Sequence, residues 1–211
     1  MPTPIALKPT IEVGVVPTHI KFAGGLAPNE EGRLPRNEQG EIQVVAEMAA
    51  LLRESPAPIH SVQLTIFPGA NEGDVEQTIE GLAALGLTVH LIMMVGGADP
   101  MVAADEDKVV EMLKAGIEVA KRYGITQIAS TSIEAWMQPG ATPKTGADFE
   151  AAVAQNVRVH TRAVREAGVE DSSIQHWHIE FLRGGEFQTF TDVGKGWAFV
   201  KAANEALGRK F

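Results

Sequence analysis

Short apolar runs alternate along the chain with longer stretches in which apolar residues recur every three or four positions, and this alternation repeats five times. The runs predict strands at residues 11–16, 59–67, 87–95 and 125–133, with a fifth inside 173–186. The periodic stretches predict helices at 41–53, 74–85, 104–123, 148–167 and 193–207. In the first of these, Ile42, Val45, Met48, Ala49 and Leu52 stand at helical spacing, and Pro56 and Pro58 end it. Gly86, Gly124, Gly168 and Gly208 stop the later helices, as a left-handed closing residue does. The third helix has acidic residues at its start and Lys121 and Arg122 in its last turn, the sense that the helix dipole favours.

A strict succession of strand and helix implies a parallel sheet with right-handed crossovers. An open doubly wound sheet and a (β/α) barrel both satisfy that order. The first strand-helix turn holds no G-x-G-x-x-G, and Gly96-Gly97 with Ala98-Asp99-Pro100 reads as a turn rather than a phosphate cradle. Polar groups at the carboxyl ends of several strands, His19, Glu134 and the fifth-strand set, favour the barrel. The expected fold is therefore α/β, a (β/α) TIM-barrel type, with residues 1–211 as one barrel-type domain. Five units are present where such a barrel has eight and about 250 residues, so the last three are expected to be lacking and a sheet edge left open. The Gly/Pro/Asn-rich segment 24–36 is long for a strand-helix connection and reads as a functional lid.

The fifth strand, in SIQHWHIEFLRGGE (173–186), carries the most chemistry. The period of two puts His176, His178 and Glu180 on one face and Trp177, Ile179 and Phe181 on the other. A strand in a helix-covered parallel sheet is usually apolar on both faces. Three ionisable groups in a row need a polar place to point, and the mouth of a closed barrel supplies one.

Composition narrows the class. A net charge of -9 with 21% charged residues argues against a general affinity for phosphate backbones, so nucleic acid is not an expected partner. The absence of cysteine removes disulfides, thiolate nucleophiles and zinc-thiolate sites. The amino terminus, MPTPIALKPT, shows no secretory pattern, and no apolar run approaches the roughly 20 residues needed to cross a bilayer. A cytoplasmic protein is expected, with no membrane partner.

The order of elements, and above all Glu180, Arg183 and Glu186 with the turn and helix after them, resembles the xylose isomerase-like TIM-barrel superfamily, the sugar phosphate isomerase/epimerase family. Its ketose 3-epimerases end the fifth strand in a metal-binding Glu, followed six positions later by a substrate-binding Glu with an Arg between them. Here the Arg stands one place earlier, and Leu182 replaces the Asn that often precedes it. The resemblance implies Glu180 as catalytic residue and metal ligand, one of four, the others belonging to strands this sequence does not contain. It implies Glu186 and Arg183 as substrate contacts, a divalent metal (Mn, Mg or Zn) as cofactor, and a small-molecule sugar as substrate. The chemistry implied is proton removal next to a carbonyl, giving an enediolate.

Each of these residues also has a plainer reading. Glu180 can serve a structural salt bridge, and Glu186 can be a loop acid ahead of the next helix. His178, about 6 to 7 Å below Glu180 along the strand, can orient a substrate or be a hydrogen-bonded core histidine. Glu134 and Trp136 after the fourth strand and His19 after the first are candidate sugar contacts or loop anchors. His60, His90 and His176 read as structural, His160 as a solvated or packing residue, and Asp105-Glu106-Asp107 as a solvated helix start. The function expected is a sugar isomerase/epimerase-type enzyme, with related lyases and dehydratases open. The alternative is a non-catalytic or truncated barrel subunit, a homo-oligomer or a partner chain covering the open sheet edge.

Overall fold

Among the residues that the computed structural model describes, 11–17, 26–66, 69–93, 95, 103–134 and 140–208, five strands alternate with five α-helices. They are β1 (Gly14–Val15), α1 (Gln43–Glu54), β2 (Ser61–Thr65), α2 (Glu72–Ala84), β3 (Thr88–Met93), α3 (Glu106–Arg122), β4 (Gln127–Ser130), α4 (Gly146–Glu166), β5 (His176–Ile179) and α5 (Val193–Leu207). The chain divides into two compact units, Met1–His90 and Leu91–Phe211, and β3 runs across the division. Pairing is parallel between β1 and β2, β3 and β4, and β4 and β5. Within each unit the strands lie in chain order. A doubly wound sheet reverses its order at a switch point, and no reversal falls within either unit. No helix among the described residues is long and apolar enough to cross a membrane.

In the first unit, α2 begins at Asn71, whose side chain accepts a hydrogen bond from Asp74 N at 3.2 Å and so satisfies an amide that the helix leaves open. Against α2, α1 packs closely: a Cβ at Gly81 would lie 2.9 Å from Val45 Cγ1, so a residue without a side chain is needed there. Asp74, 1% exposed, fastens the segment before α1. Its Oδ2 accepts from Leu34 N at 2.9 Å, and its Oδ1 meets Arg36 at 2.7 Å and Arg33 at 3.0 Å. Gly32, at φ 78°, gives Asn71 N a carbonyl at 2.7 Å, and a Cβ there would fall 2.5 Å from Gly69 O. The described part of this segment, residues 26–36, is thus pinned to the start of α2. At the other end of the strands, Val13 N donates to His60 Nδ1 at 3.2 Å, and His90 Nε2 pairs with Glu12 at 2.8 Å.

In the second unit, α3 lies on β3 through Gly116, where a Cβ would come within 2.6 Å of Met93 Cγ. Glu106, expected to be solvated, instead takes a forked pair of bonds from Arg158 of α4, the shortest 2.8 Å, with Arg162 at 3.4 Å. Phe190, Phe199 and Ala203 form an apolar cluster under α4 and α5, joined by Val153, Val157, Ile179 and Val200. Burial of the Phe190 and Phe199 side chains stabilises by about 2 kcal/mol each.

The strands are shorter than the apolar runs that predict them because burial outlasts pairing. Ile125 is buried, yet its amide closes on Ala120 O at the end of α3; Ile133 is buried, yet its amide turns to Asn156 Oδ1 of α4. Helix α5 occupies the predicted range, its start fixed by Asp192 accepting from Lys195 N at 3.0 Å.

Asp74 yields a test. Burial raises its pKa, but the Leu34 amide and the Arg36 and Arg33 guanidinium groups outweigh that and hold it below the ordinary value. Asp74→Asn is expected to cost about 3 kcal/mol in urea unfolding at pH 7, the scale for breaking a buried pair. Because the folded-state pKa is depressed, this stabilisation is present above the unfolded pKa and is lost as pH falls through the folded one. The gap between wild type and variant should therefore close in acid.

Candidate functional site

The faces of β5 are set by Trp177. Its indole is buried, tilted at 5.2 Å from the His160 ring of α4, and Ile179 joins the Phe190 cluster. Strand alternation then turns His176, His178 and Glu180 to the face away from α4 and α5. His176 and His178 are exposed and Glu180 is half-buried just past the last paired residue, its amide bonded to Ser130 O at 2.9 Å. The rings of His176 and His178 are 6.1 Å apart, and His178 Nε2 lies 3.1 Å from Gln127 Oε1 on β4.

After Glu180 the chain makes a compact out-and-back loop before α5. Leu182 N bonds Phe190 O at 3.0 Å, Gly184 pairs with Phe187, and the turn between closes with Glu186 N on Arg183 O at 3.1 Å. Arg183 and Glu186 meet at the tip at 3.3 Å, with Arg183 83% exposed and Glu186 25%. The return leg is held by Glu134. Its Oε1 accepts from Ser132 Oγ at 2.9 Å, Gln188 N at 2.9 Å and Thr189 N at 2.7 Å; its Oε2 accepts from Lys144 Nζ at 2.8 Å and Thr189 Oγ1 at 3.0 Å. Burial pushes the Glu134 carboxyl up, but Lys144 and the two loop amides hold it below its usual range, so it is ionised.

The structure thus brings Glu180, Arg183 and Glu186 onto one strand end and its loop, with Glu134 beneath the loop and His178 lower on the strand. His19 and Trp136 lie outside the described residues. Lys144, Gln188 and Thr189 carry no sequence signal of their own, since they meet Glu134 only through the fold. As for a divalent metal, no three His, Cys, Asp or Glu side chains among the described residues gather to hold one.

On the helix side, His160 Nδ1 lies 2.8 Å from Asn156 O, which requires the proton on Nδ1. Its Nε2 then accepts from Ser130 Oγ at 2.9 Å, and Ser130 Oγ accepts from Trp177 Nε1 at 2.8 Å. Every polar atom of this buried line is paired, in one direction only.

No family model and no curated protein matches this chain. Solved structures do. L-ribulose 3-epimerase matches at a TM-score of 0.63 and 14% identity, over 91% of this chain and 57% of that one. D-allulose 3-epimerase from Methylomonas sp., in complex with D-allulose, matches at 0.64 and 16%, over 92% and 59%. D-psicose 3-epimerase from Clostridium cellulolyticum H10, with D-tagatose, matches at 0.58 and 11%, over 92% and 60%. The chain therefore has an α/β fold of the TIM-barrel type, as these structures do, and spans about three fifths of their length.

The His160 line has a pH signature. Burial lowers the His160 pKa to about 4, against a smaller opposite pull from the Asn156 carbonyl. Above about pH 6.5 the ring is neutral in both folded and unfolded chains. Below that the unfolded chain takes up a proton that the folded one refuses, so stability is lost from about 6.5 down to about 4. Wild type should lose about 2 kcal/mol between pH 7 and pH 5 through this group. His160→Gln should be less stable at pH 7 but flatter over that interval, as read by urea unfolding at a series of pH values.

Proposed function

We propose that this chain carries the fifth-strand wall of a sugar isomerase/epimerase-type active site acting on a ketose. The observation that supports it is the position of Glu180, at the carboxyl end of β5 on the face that Trp177 turns away from the helices, in a fold shared with three ketose 3-epimerases. The reaction class is proton removal from the carbon next to the carbonyl, with return of a proton to the same or the neighbouring carbon. In that reading the Glu180 carboxylate works at the reacting carbons, Glu186 and Arg183 at the loop tip hold sugar hydroxyls, and His178 supports the floor below them. The divalent cation implied for this family, Mn, Mg or Zn, polarises carbonyl and hydroxyl oxygens where it is bound. Glu180 would be one of its ligands.

A second reading has its own observation. Among the described strands, β5 has β4 on one side and no neighbour on the other, and Phe181, Val193 and Trp197 are exposed, at 48%, 68% and 66%. An unpaired strand edge with large apolar groups nearby suits a partner chain or a second copy, which sedimentation over a range of concentrations would reveal.

The enzymatic reading is tested by deuterium. Incubated in D2O with L-ribulose, D-allulose or D-tagatose and with Mn²⁺, Mg²⁺ or Zn²⁺ supplied, the protein should wash deuterium into the carbon beside the carbonyl, followed by proton NMR. Glu180→Gln should slow this a hundredfold or more, on the scale of a lost acid-base group, while the exposed Glu170→Gln should leave it unchanged. Exchange no faster than a protein-free blank with every sugar and cation would remove the proposal.

A further inference from the structure

We infer that Glu134 is a positioning residue and not a sugar contact: with Lys144 it fastens the return leg of the β5–α5 loop, and so fixes where Arg183 and Glu186 stand. This rests on the proposed reading of the loop tip and adds a part that neither the strand pattern nor the resemblance supplies.

The accounting of hydrogen bonds comes first. An ionised carboxylate offers about four lone-pair sites and no donor. Glu134, 5% exposed, already receives five donors between 2.7 and 3.0 Å: Ser132 Oγ, Gln188 N, Thr189 N, Lys144 Nζ and Thr189 Oγ1. A sugar hydroxyl would have to displace one of them from a closed site. Three of the five come from Gln188 and Thr189, so the acid at the end of one strand is spent on the loop after the next.

The loop is built to transmit that grip. Lys144 N donates to Gln188 O at 2.7 Å, so the segment before α4 holds the same residue from its carbonyl side. Lys195 Nζ bonds Lys144 O at 3.0 Å and Thr191 Oγ1 at 2.9 Å, tying the start of α5 to the same point. The outgoing leg touches this segment too, since a Cβ at Gly184 would lie 3.0 Å from Pro143 Cγ. Phe190, with no exposed surface, anchors the return leg in the core, and Leu182 N is bonded to its carbonyl. Between these fixed legs only a four-residue turn remains, closed by Glu186 N on Arg183 O. The tip takes its place from the legs, and the legs from Glu134 and Lys144.

The experiment pairs a local readout with a chemical one. Amide hydrogen exchange at Glu186, Gln188 and Thr189 is measured beside amides of α3 as an internal reference, and deuterium wash-in to the ketose is measured on the same proteins. Glu134→Gln turns an amide N–H toward the Lys144 ammonium; loop exchange should rise at least tenfold with α3 unchanged, and wash-in should fall at least tenfold. The double variant Glu134→Gln with Lys144→Gln replaces the ion pair by an amide pair and should recover much of both losses. A lost sugar contact could not be restored by changing Lys144. Thr189→Val keeps the volume and deletes one donor, so it should show the same loosening and slowing at smaller size even where Glu134→Gln fails to fold. Unchanged loop exchange in the variants that fold, or faster loop exchange with undiminished wash-in, would overturn the inference. A wild type that exchanges no ketose proton would instead sink the proposed function, and faster loop exchange in the variants would then still support the clamp.

Discussion

Burial of the Trp177 indole is the constraint on which the second unit's chemistry depends. A ring of this size carries several kcal/mol of apolar burial, and its N–H must be met inside the core. Ser130 meets it, and His160 in turn receives the serine hydroxyl. Register follows, because β5 can satisfy that bond only where Ile128 stands beside Trp177 and Ser130 beside Ile179. With the register fixed, a slip of one residue would put His176 and His178 under the helices and the indole on the open face. The polar face of β5 is thus a consequence of the apolar one.

Buried carboxylates do a different job, and do it the same way in each unit. Asp74 in the first and Glu134 in the second are almost fully enclosed, ionised, and supplied with both backbone amides and cationic side chains. Each holds a segment with little regular structure of its own. Taking a charge out of water costs several kcal/mol and is tolerable only when every lone pair is met. A loop supplies those donors because its amides are not used in a ladder. The penalty therefore selects for one arrangement of the loop, since a displaced loop would leave a bare buried charge.

Much of the fold is legible from the sequence because spacing is local. The alternation of periods gave the order of elements, Gly124 and Gly168, at φ 64° and 61°, close α3 and α4 as read, and Val193–Leu207 was visible from its flanks. Strand ends were not legible, because residues such as Ile125 and Ile133 are apolar for packing while their amides leave the ladder. The segment 24–36 shows the same limit: its Gly, Pro and Asn residues signal irregular backbone, and whether the described part, 26–36, is held depends on Asp74, some 40 positions on. Glu106 likewise looks solvated until Arg158 arrives from α4. In the candidate site, the two faces of β5 could be read from parity alone. The partnership of Glu134 with Lys144 and Thr189 could not, since no short-range pattern links those positions.

The acids near the end of β5 can be ranked by how firmly they are already engaged. Glu134 is tied by five bonds in a closed site, and breaking such a buried set costs on the order of 3 kcal/mol or more. Glu186 is ion-paired with an arginine that is 83% exposed, and a pair of that kind contributes between about 0 and 1 kcal/mol. A polyhydroxy ligand offering two or three hydrogen bonds can outcompete the second tie and not the first. Burial thus separates the carboxylate that is spent on the loop from the one whose tie a ligand could displace. Proximity does not decide it, since both lie on or beside the same loop, and neither does residue type, since both are glutamates.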